Sequence, residues 1–236
     1  MPHSDVNNAI DLTHIETWVF DLDNTLYPAE VNLFAQVDRR MGEFIARELD
    51  LSYDQARIVQ KTYYRDHGTT LTGLIKHHGI APEAFLDYVH DIDVSMIKPS
   101  AELDRTLGQL PGRNIVFTNG SLAHAERVIG ALDIGHHFEE IYDITVGDFV
   151  PKHEPETFSR FVERAAFEPG SAVMFDDIAK NLLPAHTLGM TTVWIRTETD
   201  WGAPRDPHAP TMDDHSHVDF EGPNLLEVLR RIRHAG

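Results

Sequence analysis

Five short apolar runs, at residues 17–22, 114–117, 140–145, 172–175 and 192–195, place hydrophobic residues at consecutive positions instead of alternate ones. A strand with one wet face alternates and a strand covered on both faces does not, so the pattern predicts a parallel sheet buried on both sides. Helical periodicity follows the second, third and fourth runs, at 122–132, 156–165 and 179–188, and a closing helix is expected at 224–234. Strands and helices alternating at this spacing are βαβ crossovers. The fold class they predict is α/β, a Rossmann-like doubly wound parallel sheet. Sheets of that kind bind their ligands beyond the C-terminal ends of the strands.

Residues 31–90 depart from the alternation. Phe34, Val37, Met41, Phe44 and Ile45 recur on one helical face, Ala56, Val59 and Tyr63 repeat the pattern, and no strand interrupts them. Pro28 opens this block and Lys98-Pro99 returns the chain to the sheet. The expected organisation is therefore an α/β core from residues 1–27 and 99–236, with an all-helical cap at 28–98 docked over the sheet's C-terminal edge. Residues 203–219, rich in Pro, His and Asp, read as a long loop. His215 and His217 would share a face if that stretch were extended, a spacing suited to a transition metal, although His-rich loops are mostly just solvated.

The chemistry lies at the strand ends. The first run passes straight into Asp21-Leu22-Asp23-Asn24-Thr25. Carboxylates two apart on a regular strand point to opposite faces, so sharing one site requires the chain to leave the strand between them. One could then attack as a nucleophile while the other handles protons, or the segment could be a polar turn capping a helix. The second run ends in Thr118-Asn119-Gly120 before a helix, which offers a hydroxyl and main-chain N–H groups to an anion, or an N-cap to the helix itself. After the third run, Pro151 and Pro155 stiffen a loop holding Lys152, a cation able to neutralise a phosphate and keep a carboxylate ionised. The fourth run ends in Asp176-Asp177, adjacent acids that suit Mg²⁺, with Asn181 in the next helix.

Composition narrows the partners. There are 38 Asp and Glu against 20 Lys and Arg, a formal charge of -18, which repels polynucleotides and anionic membranes. A phosphate site must then be made attractive locally, by a cation, main-chain N–H groups and a placed lysine. No cysteine is present, which removes thiolate ligands, disulfides and Cys nucleophiles. No apolar run is long enough to span a bilayer, and the first residues lack the pattern of a signal peptide. The location expected is cytoplasmic.

Asp-x-Asp, Thr, Lys and Asp-Asp, in that order and at one edge of one sheet, resemble the signature of the haloacid dehalogenase superfamily, and the helical insertion resembles its cap. The longer first motif, Asp-Leu-Asp-Asn-Thr-Leu-Tyr-Pro from Asp21 to Pro28, together with Tyr63-Tyr64-Arg65-Asp66-His67-Gly68-Thr69-Thr70-Leu71-Thr72-Gly73-Leu74 in the cap, is similar to the pyrimidine 5′-nucleotidases. The resemblance implies that Asp21 is the nucleophile and that Asp23 protonates the leaving alkoxide and then activates water. Thr118 and the N–H of Asn119 would bind the phosphoryl oxygens, with Lys152 neutralising both phosphate and Asp21. It further implies Mg²⁺ on Asp21, the main-chain carbonyl of Asp23 and Asp177, with Asp176 ligating directly or through water. Asp23 is expected to hold a proton at the first step, favoured by the anions around it.

The activity implied is Mg²⁺-dependent hydrolysis of a small phosphate monoester, a pyrimidine nucleotide such as UMP or CMP, by a monomer or homodimer. Tyr64, Arg65, Thr69 and Thr70 are the cap residues expected to meet its base or sugar. The alternatives are a sugar-phosphate phosphatase or phosphomutase of the same superfamily, or a non-catalytic phospho-aspartate regulator. A 2-haloacid dehalogenase is disfavoured, because it needs neither the second acid nor a metal.

Overall fold

The computed structural model describes residues 9–197 and 215–233. After a two-residue strand β1 (Ile10–Asp11) come β2 (Thr17–Phe20), β3 (Arg113–Phe117), β4 (Phe138–Tyr142), β5 (Ala172–Asp176), β6 (Thr191–Ile195) and β7 (Phe220–Gly222). The last six form one sheet in the order β4-β3-β2-β5-β6-β7, and every pairing is parallel. Counted along the chain this is the doubly wound order in which the direction of winding reverses at the first strand. β2, whose end carries Asp21, therefore lies between β3 and β5 at the switch point.

Alternate residues of the central strands feed two cores. Val19, Ile115, Phe117 and Met174 pack with Phe158 and Phe161 of α7 (Pro155–Ala165) and Leu182 of α8 (Ala179–Thr187). Trp18, Phe20, Val116 and Phe175 pack on the other face with Val128 of α6 (Leu122–Leu132) and Leu229 of α9 (Leu225–Arg231). Phe20 and Phe175 stack at 5.0 Å across β2 and β5, and Phe117 stacks on Phe161 at 4.0 Å. Each such side chain contributes roughly 1.5–3 kcal/mol when fully buried. The continuous apolar runs of the sequence are the direct result of this two-sided burial.

Between β2 and β3 the chain forms α1 (Phe34–Glu48), α2 (Tyr53–His67), α3 (Thr70–His78) and α4 (Pro82–Val89), followed by α5 (Ala101–Leu107) on the sheet side. Ser52 and Gln55 form a reciprocal capping box at the start of α2, Thr69 caps α3, and Pro82 stands in the first turn of α4, where its missing N–H costs nothing. Phe44 of α1 meets Phe85 of α4 edge-on at 5.2 Å, and Asp38 of α1 pairs with Arg57 and Lys61 of α2 at 2.6 and 3.0 Å.

The third strand and the closing helix are bounded differently from the sequence reading. The third strand runs over Phe138–Tyr142 instead of 140–145, because the Asp143 carboxylate accepts from Thr145 N and turns the chain into a 3-10 helix, Ile144–Gly147. The apolar Ile144 and Val146 are buried in that turn, while the edge strand itself exposes Glu139 and Glu140. The closing helix stops at Arg231, and Ile232–Arg233 becomes β8, pairing in parallel with β1; His234 lies outside the described residues. Of the expected loop, 203–214 lies outside them as well. His217 is buried and its Nε2 lies 2.8 Å from the Ala179 carbonyl, while His215 packs on Trp194, and the two imidazoles lie 6.2 Å apart between ring centres.

Candidate active site

Asp21 is the first residue beyond β2, and its N–H continues the ladder to the Phe175 carbonyl of β5 at 2.9 Å. The chain then turns at once. Thr25 N and Leu26 N both bond to the Leu22 carbonyl, and Asn24 takes a left-handed φ of 63°. This is the departure from the strand that allows Asp21 and Asp23 to serve one site.

Lys152 is the centre of the charge arrangement. It is 1% exposed, and its Nζ reaches the Asp21 carboxylate, Asp176 Oδ2 at 2.7 Å and the Phe117 carbonyl at 3.1 Å. Two of the ammonium's donors are used by the Asp21 carboxylate and the Phe117 carbonyl, while Asp176 Oδ2 faces it as a close ion pair with no hydrogen bond of its own. Together these contacts fix its position. The loop that carries it is held by Asn119, whose Oδ1 accepts from Lys152 N at 2.8 Å. Asn119 thus has a structural task in its side chain besides the main-chain N–H named from the sequence. Thr118 is buried at the end of β3, and its hydroxyl oxygen accepts from Gly120 N at 2.9 Å.

The second acidic pair divides its labour. Asp176 is wholly buried; its Oδ1 accepts from Asn181 Nδ2 and Ile178 N, both at 2.9 Å, while Oδ2 faces Lys152. Asp177 is only partly buried and accepts from Asn24 Nδ2 at 3.2 Å. Asp21, Asp176 and Asp177 bring one carboxylate oxygen each within 4.8 Å of one another. Three carboxylates around a single ammonium leave uncompensated negative charge. Burial, with Lys152 pulling the other way and Asp176 adding repulsion, pushes Asp21 up to about 7. Burial and the charges of Asp21 and Asp176 likewise raise Asp177. An all-oxygen donor set with excess negative charge fits a hard divalent cation such as Mg²⁺.

Asp23 behaves in the opposite way. Burial would raise it, but the His124 imidazole at 2.9 Å and the Tyr27 hydroxyl at 2.6 Å hold its carboxyl down at about 2. The expectation that neighbouring anions keep Asp23 protonated is therefore reversed in the free protein, because those donors outweigh them. Neither His124, in the first turn of α6, nor Tyr27 carried a role in the sequence reading, since a lone His on a helix has no pattern of its own. Asn181, by contrast, supports the acidic pair as the sequence suggested.

The helical insertion reaches the strand-end loops at Gly68. Gly68, with φ of +79°, follows α2 and lies against His153, where an added Cβ would come 2.3 Å from the imidazole Cε1. Tyr64 is 46% exposed, and partial burial together with Asp177 and Asp176 raises its phenol, so its hydroxyl feels the acidic centre. Arg65 lies on the surface of α2, bonded to Asp66 at 2.7 Å. Thr69 caps α3, and the buried Thr70 hydroxyl bonds to the Gln60 carbonyl at 3.3 Å, so both threonines have partners inside the insertion.

Gly68→Ala should open this contact. The side chain adds backbone strain of roughly 1–3 kcal/mol at positive φ and collides with His153. A fall in kcat/KM of about tenfold or more is expected, carried mainly by KM, with a melting temperature lowered by roughly 2–10 °C through the strain. A variant with unchanged kcat/KM would show that closure at Gly68 is not needed.

The sequence matches the haloacid dehalogenase-like hydrolase family over residues 15–189. Phosphate metabolism protein 8 of Saccharomyces cerevisiae is 28% identical over an alignment of 197 positions that covers 74% of this chain and 60% of the yeast protein. The chain thus spans less than two thirds of that relative's length. Among solved structures, CbbY from Rhodobacter sphaeroides in complex with phosphate shares the fold with a TM-score of 0.62 at 17% identity, covering 91% of this chain and 96% of that one. A HAD phosphatase from Thermococcus onnurineus follows at 0.58 and 20% identity, covering 92% and 97%. Identities this low speak for the fold alone. The family match, spanning the strand ends that carry Asp21, Thr118, Lys152 and Asp176-Asp177, places this chain among the haloacid dehalogenase-like hydrolases.

Proposed function

We propose that this chain is a Mg²⁺-dependent phosphatase that hydrolyses small phosphate monoesters through an aspartyl phosphate on Asp21, with pyrimidine nucleoside 5′-monophosphates as its substrates. The observation that carries this reading is the buried Lys152, hydrogen-bonded to Asp21 and a main-chain carbonyl and ion-paired with Asp176, beside the less occupied Asp177. The name of the yeast relative, phosphate metabolism protein 8, agrees with phosphate chemistry. The nucleotide assignment is supported by the long first motif and by the Tyr63 to Leu74 segment of the insertion.

Asp21 and Asp177, with Asp176 and the main-chain carbonyl of Asp23, would hold the cation, which when bound supplies positive charge against the phosphoryl oxygens. The remaining steps belong to the protein. An Asp21 oxygen attacks phosphorus as the bond to the ester oxygen breaks, and Asp23 gives that oxygen a proton. Asp23 is ionised in the free protein, and the charge of a phosphate bound beside it raises its affinity for the proton it must deliver. Water then loses a proton to Asp23 and attacks phosphorus, which restores the Asp21 carboxylate. Lys152 holds Asp21 in its attacking position and offsets charge throughout. The insertion, seated on His153 through Gly68, acts as a cap that limits access of water to the first step.

The test is a screen of UMP, CMP, AMP, GMP, several sugar phosphates and p-nitrophenyl phosphate, with Mg²⁺ and with EDTA. Steady Mg²⁺-dependent phosphate release, fastest on UMP or CMP, is the expected result. Preference for purine nucleotides or sugar phosphates would remove the nucleotide assignment and leave the chemistry. A single stable phosphorylation without turnover would instead mark a phospho-aspartate regulator.

A further inference from the structure

Asp23 is held more closely by one oxygen than by the other. Its Oδ1 accepts the Tyr27 hydroxyl at 2.6 Å and lies 2.9 Å from His124 Nε2, while Oδ2 has the longer 3.2 Å approach to that same nitrogen. His124 is 1% exposed, and its Nδ1 meets no hydrogen-bond partner among the described residues. A buried ring with one bare nitrogen and one nitrogen against a carboxylate is best satisfied as the Nε2–H tautomer, which donates to Asp23. The ring plane is fixed as well. His90, which caps the end of α4, stacks on His124 at 4.3 Å and 10°, and is itself tied to Ser121 Oγ at 2.9 Å. Arg127 of α6 donates to the His90 carbonyl at 2.8 Å and also reaches the Ile92 carbonyl. This local rigidity is more than a surface helix needs.

We propose that His124 is a positioning residue for phosphoryl transfer: with Tyr27 it occupies Oδ1 of Asp23 and so leaves Oδ2 to carry the proton that meets the leaving oxygen. This inference rests on the phosphatase reading of the site. In either protonation state of Asp23, Oδ1 remains an acceptor for both donors, so the arrangement persists through the cycle. The proton on Oδ2 passes to the ester oxygen as its bond to phosphorus breaks. Asp23 recovers a proton from water in the second step, and the His124 proton stays on Nε2 throughout.

A residue that aligns a proton donor matters in proportion to the leaving group's need for a proton. UMP expels an alkoxide that must be protonated; p-nitrophenyl phosphate expels a phenolate that need not be. If UMP is turned over slowly, the best alkyl phosphate of the screen takes its place. His124→Phe keeps an aromatic ring under His90 and removes the donor, whereas His124→Gln returns an N–H close to Nε2. His124→Phe is expected to lower kcat on the alkyl phosphate at least tenfold more than kcat on p-nitrophenyl phosphate, with KM little changed, and His124→Gln should recover part of the difference. Tyr27→Phe, which removes the other donor, should give the same selective loss and serves where His124→Phe fails to fold by thermal melting. Equal losses on both substrates, or none, overturn the positioning role while leaving the phosphatase reading intact. A wild-type protein that releases phosphate from no monoester overturns the phosphatase reading itself.

Discussion

Asp21→Asn protein is expected to release phosphate at least roughly 10²–10³-fold more slowly than wild type while melting at the same or a higher temperature. The two halves of this result have one cause. Asp21 is buried beside Asp176 and near Asp23, and its carboxyl is pushed up to about 7 because burial and repulsion outweigh Lys152. Replacing it with a neutral amide of similar shape removes that unfavourable charge, so stability need not fall. The same amide cannot attack phosphorus, and the reaction loses its covalent route. Loss of function with retained or improved stability is the pattern of a site strained for chemistry. Phosphate release followed alongside a thermal melt checks both halves, and near-wild-type turnover in Asp21→Asn would sink the mechanism.

Lys152→Met should do the reverse and damage both properties. Removing one partner of a buried ion pair costs roughly 3–5 kcal/mol, because the other charges stay behind without a counterion. Here Asp21 and Asp176 would both be left facing a methyl group, and the Phe117 carbonyl would lose its donor. Turnover is expected to drop at least ~10²-fold, since the cation that fixes the nucleophile is gone. The stability deficit should depend on pH, with a sign set by Asp21. Its carboxyl titrates at about 7 in the folded protein against 3.8 ordinarily, so the folded state gains a proton across that window. Its contribution to stability is therefore present below 3.8 and is lost as pH rises through 7. Without Lys152 the carboxyl rises further and protonates more readily at low pH, which spares the variant part of its penalty there. Urea unfolding of both proteins should show a larger difference at pH 8 than at pH 5. An equal deficit at the two values would mean that Lys152 stabilises by packing and not by charge.

How much of this was legible before folding depends on the length over which each signal is spread. The strands β2, β3, β5 and β6 were legible because each is a run of apolar residues buried on both faces, and two-sided burial writes itself into consecutive positions. β4 was misplaced by two residues, since an edge strand exposes Glu139 and Glu140 and puts its neighbouring apolar residues into the following turn. β7 and the β1–β8 pair were not expected at all. Segments of two or three residues carry no period, and only their partners define them.

The site divides along the same line. Asp21, Asp23, Thr118, Lys152, Asp176 and Asp177 could be picked out in the sequence because each follows a strand or precedes a helix at one sheet edge, and topology alone delivers them to the same place. That Lys152 bridges Asp21 and Asp176, that Oδ1 of Asp176 is held by Asn181 and Ile178 N, and that Asn119 secures the lysine loop needed side-chain distances. The bonds that the threonines expected to meet substrate make within the insertion, Thr69 as a cap and Thr70 on the Gln60 carbonyl, likewise needed the structure.

The sequence by itself determined the kind of sheet, the edge at which chemistry occurs and the charged groups brought there, because hydrophobic periodicity and strand order act through the backbone. Only the tertiary structure decided the proton affinities. Asp21 and Asp23, two residues apart with identical side chains, part to about 7 and about 2: burial and the repulsion of Asp176 raise the first against the pull of Lys152, while His124 and Tyr27 overcome burial at the second. Electrostatic energy depends on distance and burial in space, and no spacing along the chain encodes either.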